Sequence, residues 1–91
     1  METKNLELLE QNGLKAVEGE YFTEFVREMV SPENEDESCK LTIYFNGEKW
    51  CATAEDYFGK NKWYSGTWYY SAKYLKRLMT TLHKQLGFYG F

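Results

Sequence analysis

The stretch KLTIYFNGEKWCAT, residues 40–53, limits what this chain can fold into more tightly than any other. Two alternating segments flank Asn46-Gly47, and that dipeptide suits a two-residue type I′ hairpin, whose central residues both need positive φ. Such a turn sets Phe45 opposite Glu48, Ile43 opposite Trp50 and Leu41 opposite Ala52. Side chains alternate along a strand, so Leu41, Ile43, Phe45, Trp50 and Ala52 share a face, the core face. Thr42, Tyr44, Lys49 and Cys51 share the other. Cys39 has the parity of Leu41 and so faces away from Cys51, which disfavours a disulfide between them.

An isolated hairpin is marginal in water, so further strands are required. YFTEFVREMV (21–30) carries apolar residues at 21, 22, 25, 26, 29 and 30, a spacing that also fits a helical stripe. Its aromatic and β-branched content, and the hairpin's need for a neighbour, decide for a strand. Tyr21, Phe25 and Met29 then face one way, with Thr23 and Arg27. SPENEDES (31–38) follows as a solvated loop in which Pro32 ends the strand and Glu33, Glu35, Asp36 and Glu37 concentrate acid.

Helices are expected at both ends. The first runs over 4–12 with Thr3 as N-cap. Gly13 takes the left-handed position after it, and Leu14 packs back on Leu9 in a Schellman cap. The second runs over 72–86 with Ser71 as N-cap. Ala72, Leu75, Leu78, Met79, Leu82 and Leu86 form its apolar stripe, and Lys73, Lys76, Arg77, Thr80 and Lys84 its exposed side. Gly87 supplies the stop. The closing FYGF must dock on the domain or on a second subunit, which allows a homo-oligomer built through the aromatic C-terminus.

These elements define an α+β fold: a two-layer sandwich with a short N-terminal helix, an antiparallel sheet of three to four strands and a C-terminal amphipathic helix. Both helices cover one sheet face and leave the other open. At 91 residues the chain is one domain, 1–91. Helix, strands, helix is also the element order of the double-stranded-RNA-binding domain and of the arm-binding domain of some phage integrases. The likeness is confined to that order, because neither family's motif occurs here.

Several classes of function lack support. No run approaches the roughly 18 apolar residues of a spanning helix, and METKNLELLEQ reads as no secretory signal. Two cysteines are too few for a disulfide scaffold, which points to a reduced, cytoplasmic setting. Cys39, Cys51 and His83 show no metal-ligand spacing, so no metal or cofactor is expected. Nothing in the spacing brings Cys51 to His83 as a nucleophile–base pair, and Glu55-Asp56 are adjacent and do not face each other. No phosphate-binding glycine loop is present. Binding without catalysis remains.

Charge gives the clearest lead on partners. Residues 1–38 hold eleven acids against three bases, whereas residues 39–91 hold three acids against eight bases. From Tyr57 to the end there is no acid, and eleven of the seventeen aromatic residues lie there. One expectation is a protein-binding module, an inhibitor or adaptor that acts on a nuclease or other nucleic-acid-handling protein. Its acidic half, Glu33, Glu35, Asp36 and Glu37 above all, would meet a basic groove. Small acidic proteins of phages and mobile elements, anti-CRISPR proteins among them, share this character. The alternative is direct RNA or DNA binding by the basic, aromatic half.

KWYSGTWYYSAKYLK (62–76) bears on both expectations. Strand alternation splits its rings between two faces, around a turn at Ser65-Gly66 and a helix start at Ser71. Tyr74 and one side of Trp68/Tyr70 should be buried. Tyr69, with Lys62, Lys73, Lys76 and Arg77, is the expected partner-facing side, and the helix start with Ser71 and Lys73 could hold an anion.

Overall fold

Alternating apolar residues make the centre of the chain a sheet, and the two helical stripes close one side of it. The structure is a computed structural model that describes residues 2–91. It contains α1 (Thr3–Gln11), β1 (Lys15–Glu18), β2 (Thr23–Val30), β3 (Glu37–Phe45), β4 (Trp50–Phe58), β5 (Trp63–Ala72), α2 (Leu75–Gln85) and a closing 3₁₀ turn, Gly87–Tyr89. The five strands pair antiparallel in chain order, β1-β2-β3-β4-β5. The fold is therefore the expected α+β arrangement, with five strands instead of three or four. The additional strand is β1, four exposed residues too short and too polar to stand out in the sequence.

Of the segment 21–30, Thr23–Val30 is a strand, and Phe25 and Met29 face the core as its alternation requires; Tyr21 and Phe22 lie in the bend before it, and Tyr21, expected on that same face, is exposed. The central hairpin differs from expectation in its turn. Phe45 pairs with Trp50, Ile43 with Ala52 and Leu41 with Ala54, which lengthens the loop to residues 46–49. Gly47 takes positive φ (95°) but Asn46 does not. Asn46 instead accepts hydrogen bonds through Oδ1 from the N–H groups of Glu48 (2.9 Å) and Lys49 (2.8 Å). The side chain thus supplies the turn as an Asx motif. A slip of two residues leaves every side chain on its own face, so the core assignment survives except at Phe45, which is half exposed.

The core is one cluster. Phe25, Met29, Cys39, Leu41, Ile43, Trp50, Ala52 and Ala54 rise from the sheet, and Leu9, Leu14, Leu75, Leu78, Met79, Leu82 and Leu86 descend from the helical side. Burying a leucine of this kind contributes about 1.5–3 kcal/mol. α1 ends as the sequence requires: the N–H of Leu14 donates to Leu9 O (3.0 Å) and that of Gly13 to Glu10 O (3.0 Å). With Gly13 at φ 76°, this is the Schellman pattern. At the other end Thr3 is the first helical residue and Glu2 the N-cap, so Thr3 does not cap α1.

α2 starts later than expected. Ser71 and Ala72 belong to β5, where Ala72 pairs with Trp50, and Tyr74 is the N-cap, with no side-chain cap hydrogen bond. The pairing with β4 outweighs the capping signal of Ser71, so that serine does not start the helix. Gly87 has no positive φ; the left-handed residue is Gly90 (φ 80°). The aromatic C-terminus folds back on its own domain. Ser31 Oγ donates to Phe88 O (3.3 Å), Phe91 stacks on His83 with centroids 4.5 Å apart, and the Arg27 guanidinium lies 5.5 Å from the Phe91 ring centroid. Among the described residues no helix is long and apolar enough to cross a membrane.

Candidate binding edge and cleft

β5 is the outer strand and pairs only with β4. Its ten residues, WYSGTWYYSA, include no charged side chain. Alternate residues of an edge strand aim their N–H and C=O groups outward, so about half of this strand's backbone has no strand neighbour. Gly66 pairs with Asp56 and Tyr64 with Tyr57, which leaves Ser65 as the extra residue of a bulge. Ser65-Gly66 is therefore not a turn: the glycine marks an irregularity inside one long strand.

The rings of β5 divide between the faces. Trp63, Trp68 and Tyr70 share the helix-covered side, and Tyr64 and Tyr69 stand on the open side. Tyr70 packs against the core, but Trp63 (71% exposed), Trp68 (58%), Tyr64 and Tyr69 (76%) do not. Trp68 is fixed nonetheless, since its Nε1 donates to Asp56 Oδ2 at 2.9 Å. Tyr64 and Thr67 hydroxyls are 2.6 Å apart, and the Tyr57 and Tyr64 rings meet edge to face at 6.0 Å. These contacts hold Trp68 and Tyr64 in place although both are exposed.

Asp56 joins the edge to the interior. Its Oδ1 is buried without a hydrogen-bond partner. Burial, reinforced by the Asp56 charge, pushes the Cys39 thiol up to about 12, and the Tyr89 hydroxyl is raised by the same two causes in the same order. Cys39 is a protonated core thiol, and no histidine acts on it. Cys39 and Cys51 are both free. Among the described residues, no three of His, Cys, Asp and Glu gather where they could hold one metal ion.

Where β5 meets α2 the surface opens into a cleft of about 610 Å³. Phe45, Trp50, Tyr74 and Leu75 give it apolar walls; Lys73 and Lys76 supply two cations, and Glu2 and Asn5 close it from α1. Trp50 is nearly fully buried and meets Phe45 at 5.3 Å in a tilted pair, while Tyr74 is 65% exposed. Tyr74 is thus a wall of the cleft and not the core residue expected of it. The Lys73 ammonium lies 5.6 Å from the Tyr74 ring centroid.

The expected site residues fall in separate places. Lys62 (φ 51°) lies in the β4–β5 turn, Lys73 and Lys76 line the cleft, and Tyr69 stands between them on the open face. A ten-residue strand spans about 30 Å, so Lys62 and Lys73 do not form one patch. Arg77 lies in the first turn of α2 and does not line the cleft. Glu33, Glu35 and Asp36 are exposed in the β2–β3 loop, and Glu37 opens β3 opposite Phe58. That loop is tied to the turn holding Lys60 and Lys62 through a 2.7 Å hydrogen bond from Gly59 N to Asp36 O. Acids and lysines meet at this end, so the charge division of the sequence is partly closed by folding.

The open face carries another aromatic group, Phe22 stacked on Tyr44 at 5.2 Å, with Thr42, Thr53 and Tyr69 beside it. Glu24, Glu28 and Glu55 share that face with Lys15 and Lys40. Trp63, Tyr64 and Trp68, and the cleft residues Phe45, Trp50 and Tyr74, were not among the expected site residues. The signal in the sequence was the absence of any charge from Trp63 to Ala72, bracketed by lysines on both sides. No family model, curated protein or solved structure matches the chain.

Proposed function

We propose that this protein is a non-enzymatic protein-binding module that accepts an extended segment of its partner along β5. The observation that carries the reading is the long, uncharged, unpaired edge of β5 with exposed Trp and Tyr on both of its faces. Natural sheets blunt such edges with charge or brevity, as β1 does with four residues that include Lys15 and Glu18. Strand addition draws affinity from main-chain hydrogen bonds and specificity from alternate side chains. Trp and Tyr are also the residues most enriched at interface hot spots. An inhibitor or adaptor of a nucleic-acid-handling protein in the cytoplasm fits this reading, with the exposed acids of the β2–β3 loop meeting the partner's basic surface.

Direct nucleic-acid binding is the second reading, favoured by Lys73 and Lys76 beside the exposed Tyr74. It ranks lower because Glu24, Glu28 and Glu55 on the open face would repel phosphates. One experiment separates the two. Peptides selected from a displayed library on the immobilised protein are mapped by amide exchange, beside a salt-titrated panel of single- and double-stranded RNA and DNA. Strand addition requires new protection of β5 amides and loss of binding in Trp63→Lys and Tyr69→Lys. Peptides that leave β5 unprotected, or nucleic-acid affinity that falls steeply with salt, would overturn it.

A further inference from the structure

We infer that the cleft at the end of β5 receives an aromatic side chain of the partner strand together with a carboxylate two residues along, on the same face of that strand. The inference rests on the edge reading and specifies the partner's chemistry. β5 runs through Ala72 directly into Lys73 and Tyr74, which form the cleft wall. A strand laid against β5 that runs on past Ala72 would meet Lys73 and Tyr74, the part of the cleft wall next to that edge.

The apolar surfaces of Phe45, Trp50, Tyr74 and Leu75 suit a ring, and offset or edge-on contacts between rings add to the area they bury. A volume of about 610 Å³ lies within the usual range of ligand sites, roughly 300–1,000 Å³. Lys73 and Lys76 outnumber the single acid, Glu2, among the lining residues. The Tyr74 face holds the Lys73 ammonium without neutralising it. An anion at the mouth completes the charge pattern.

A second copy of this chain fits the edge less well. Antiparallel pairing of two β5 strands would bring Lys60 and Lys62 of one copy against Lys73 and Lys76 of the other at both ends, setting like charges together. A segment bearing acid at the cleft end meets attraction there instead.

Capped tetrapeptides are the probe, because they are too short to build a ladder along β5. One carries glutamate two residues after phenylalanine, and its counterpart replaces the glutamate with glutamine. Titrations followed by NMR should shift the Trp50 indole and Leu75 methyl signals with both peptides. The glutamate form should bind roughly tenfold tighter at low salt, a preference that shrinks as salt rises. Lys76→Glu should abolish the preference, and Lys62→Glu, at the far end of β5, should keep it. Equal affinities, or shifts that map away from the cleft, overturn the inference. If longer strands still protect β5 in that case, the edge reading stands alone. If the tetrapeptides fill the cleft while no strand ever adds to β5, the cleft is an isolated site and its assignment to a partner strand fails.

Discussion

Gly13 and Gly87 follow the two helices, and the structure assigns them opposite weights. Gly13 sits at φ 76°, whereas Gly87 has no positive φ and nothing within 4 Å of where a Cβ would stand. An alanine at Gly13 must hold the left-handed conformation, which costs about 1–2 kcal/mol. Its Cβ would also lie 3.3 Å from both Cδ and Nε of Arg27. That side chain is held by its own hydrogen bond from Nη1 to Asn12 O (3.0 Å) and lies against the Phe91 ring. Displacing it adds about 0.5–1.5 kcal/mol for a weakened hydrogen bond. The expected loss for Gly13→Ala is therefore about 1.5–3.5 kcal/mol, or roughly 6–28 °C in melting temperature for a domain of this size.

Gly87→Ala should be neutral, or stabilising by about 0.4–1 kcal/mol through the unfolded chain. Urea titrations of both variants beside the parent, read by tryptophan fluorescence and far-UV circular dichroism, measure the difference. A Gly13→Ala midpoint within error of the parent would refute the Schellman assignment. A loss at Gly87→Ala equal to that at Gly13→Ala would refute the account of where α2 ends.

Three further outcomes are expected. Leu78→Ala removes a fully buried side chain between α2 and the sheet and should cost about 2.7–5 kcal/mol; Leu6→Ala, at a 38% exposed position, should cost far less in the same denaturation assay. The Cys39 thiol is raised from 9.0 to about 12 in the fold, so the unfolded chain loses that proton first and stability falls as pH climbs above 9. The loss should reach about 2 kcal/mol near pH 10.5, and subtracting the same titration of Cys39→Ala isolates it from the tyrosines. Under native conditions a thiol reagent should label the partly exposed Cys51 rapidly, and Cys39 only at the rate of opening.

What could be read from the sequence followed from alternation and capping, and what could not depended on long-range pairing. The faces of Leu41–Tyr44 and Trp50–Ala52 were legible because parity survives a two-residue slip, whereas Glu37 and Ser38, read as loop, open β3. The register was not, because Asn46 meets its turn requirement through a side chain instead of through positive φ. Ser71 looked like an N-cap because the helical spacing begins just after it. Nothing local shows that β4 would hold Ser71 and Ala72 in its ladder. Ser65-Gly66 read as a turn for the same reason, when opposite a long strand it makes a bulge. Of the expected site, Tyr69, Lys73 and Lys76 do face solvent or the cleft, but Lys62 is separated from Lys73 and Lys76 by the length of β5. That distance became visible only once β5 was one strand.

The edge of β5 is also the feature that the fold's own stability leaves unexplained. The core closes between the helices and one sheet face, and of the β5 residues only Tyr70 and Ala72 pack against it. Folding alone would tolerate a lysine at Trp63, Tyr64 or Tyr69, all largely exposed, and a charge there would protect the edge from association. The opposite edge, β1, has that protection. The chain instead keeps ten uncharged residues in a row, locks Trp68 onto Asp56, and places its lysines just beyond either end. The proposed reading accounts for it: a partner strand with an acidic end would pair with the backbone of β5 and bring its ring to the cleft and its charge to Lys73 and Lys76.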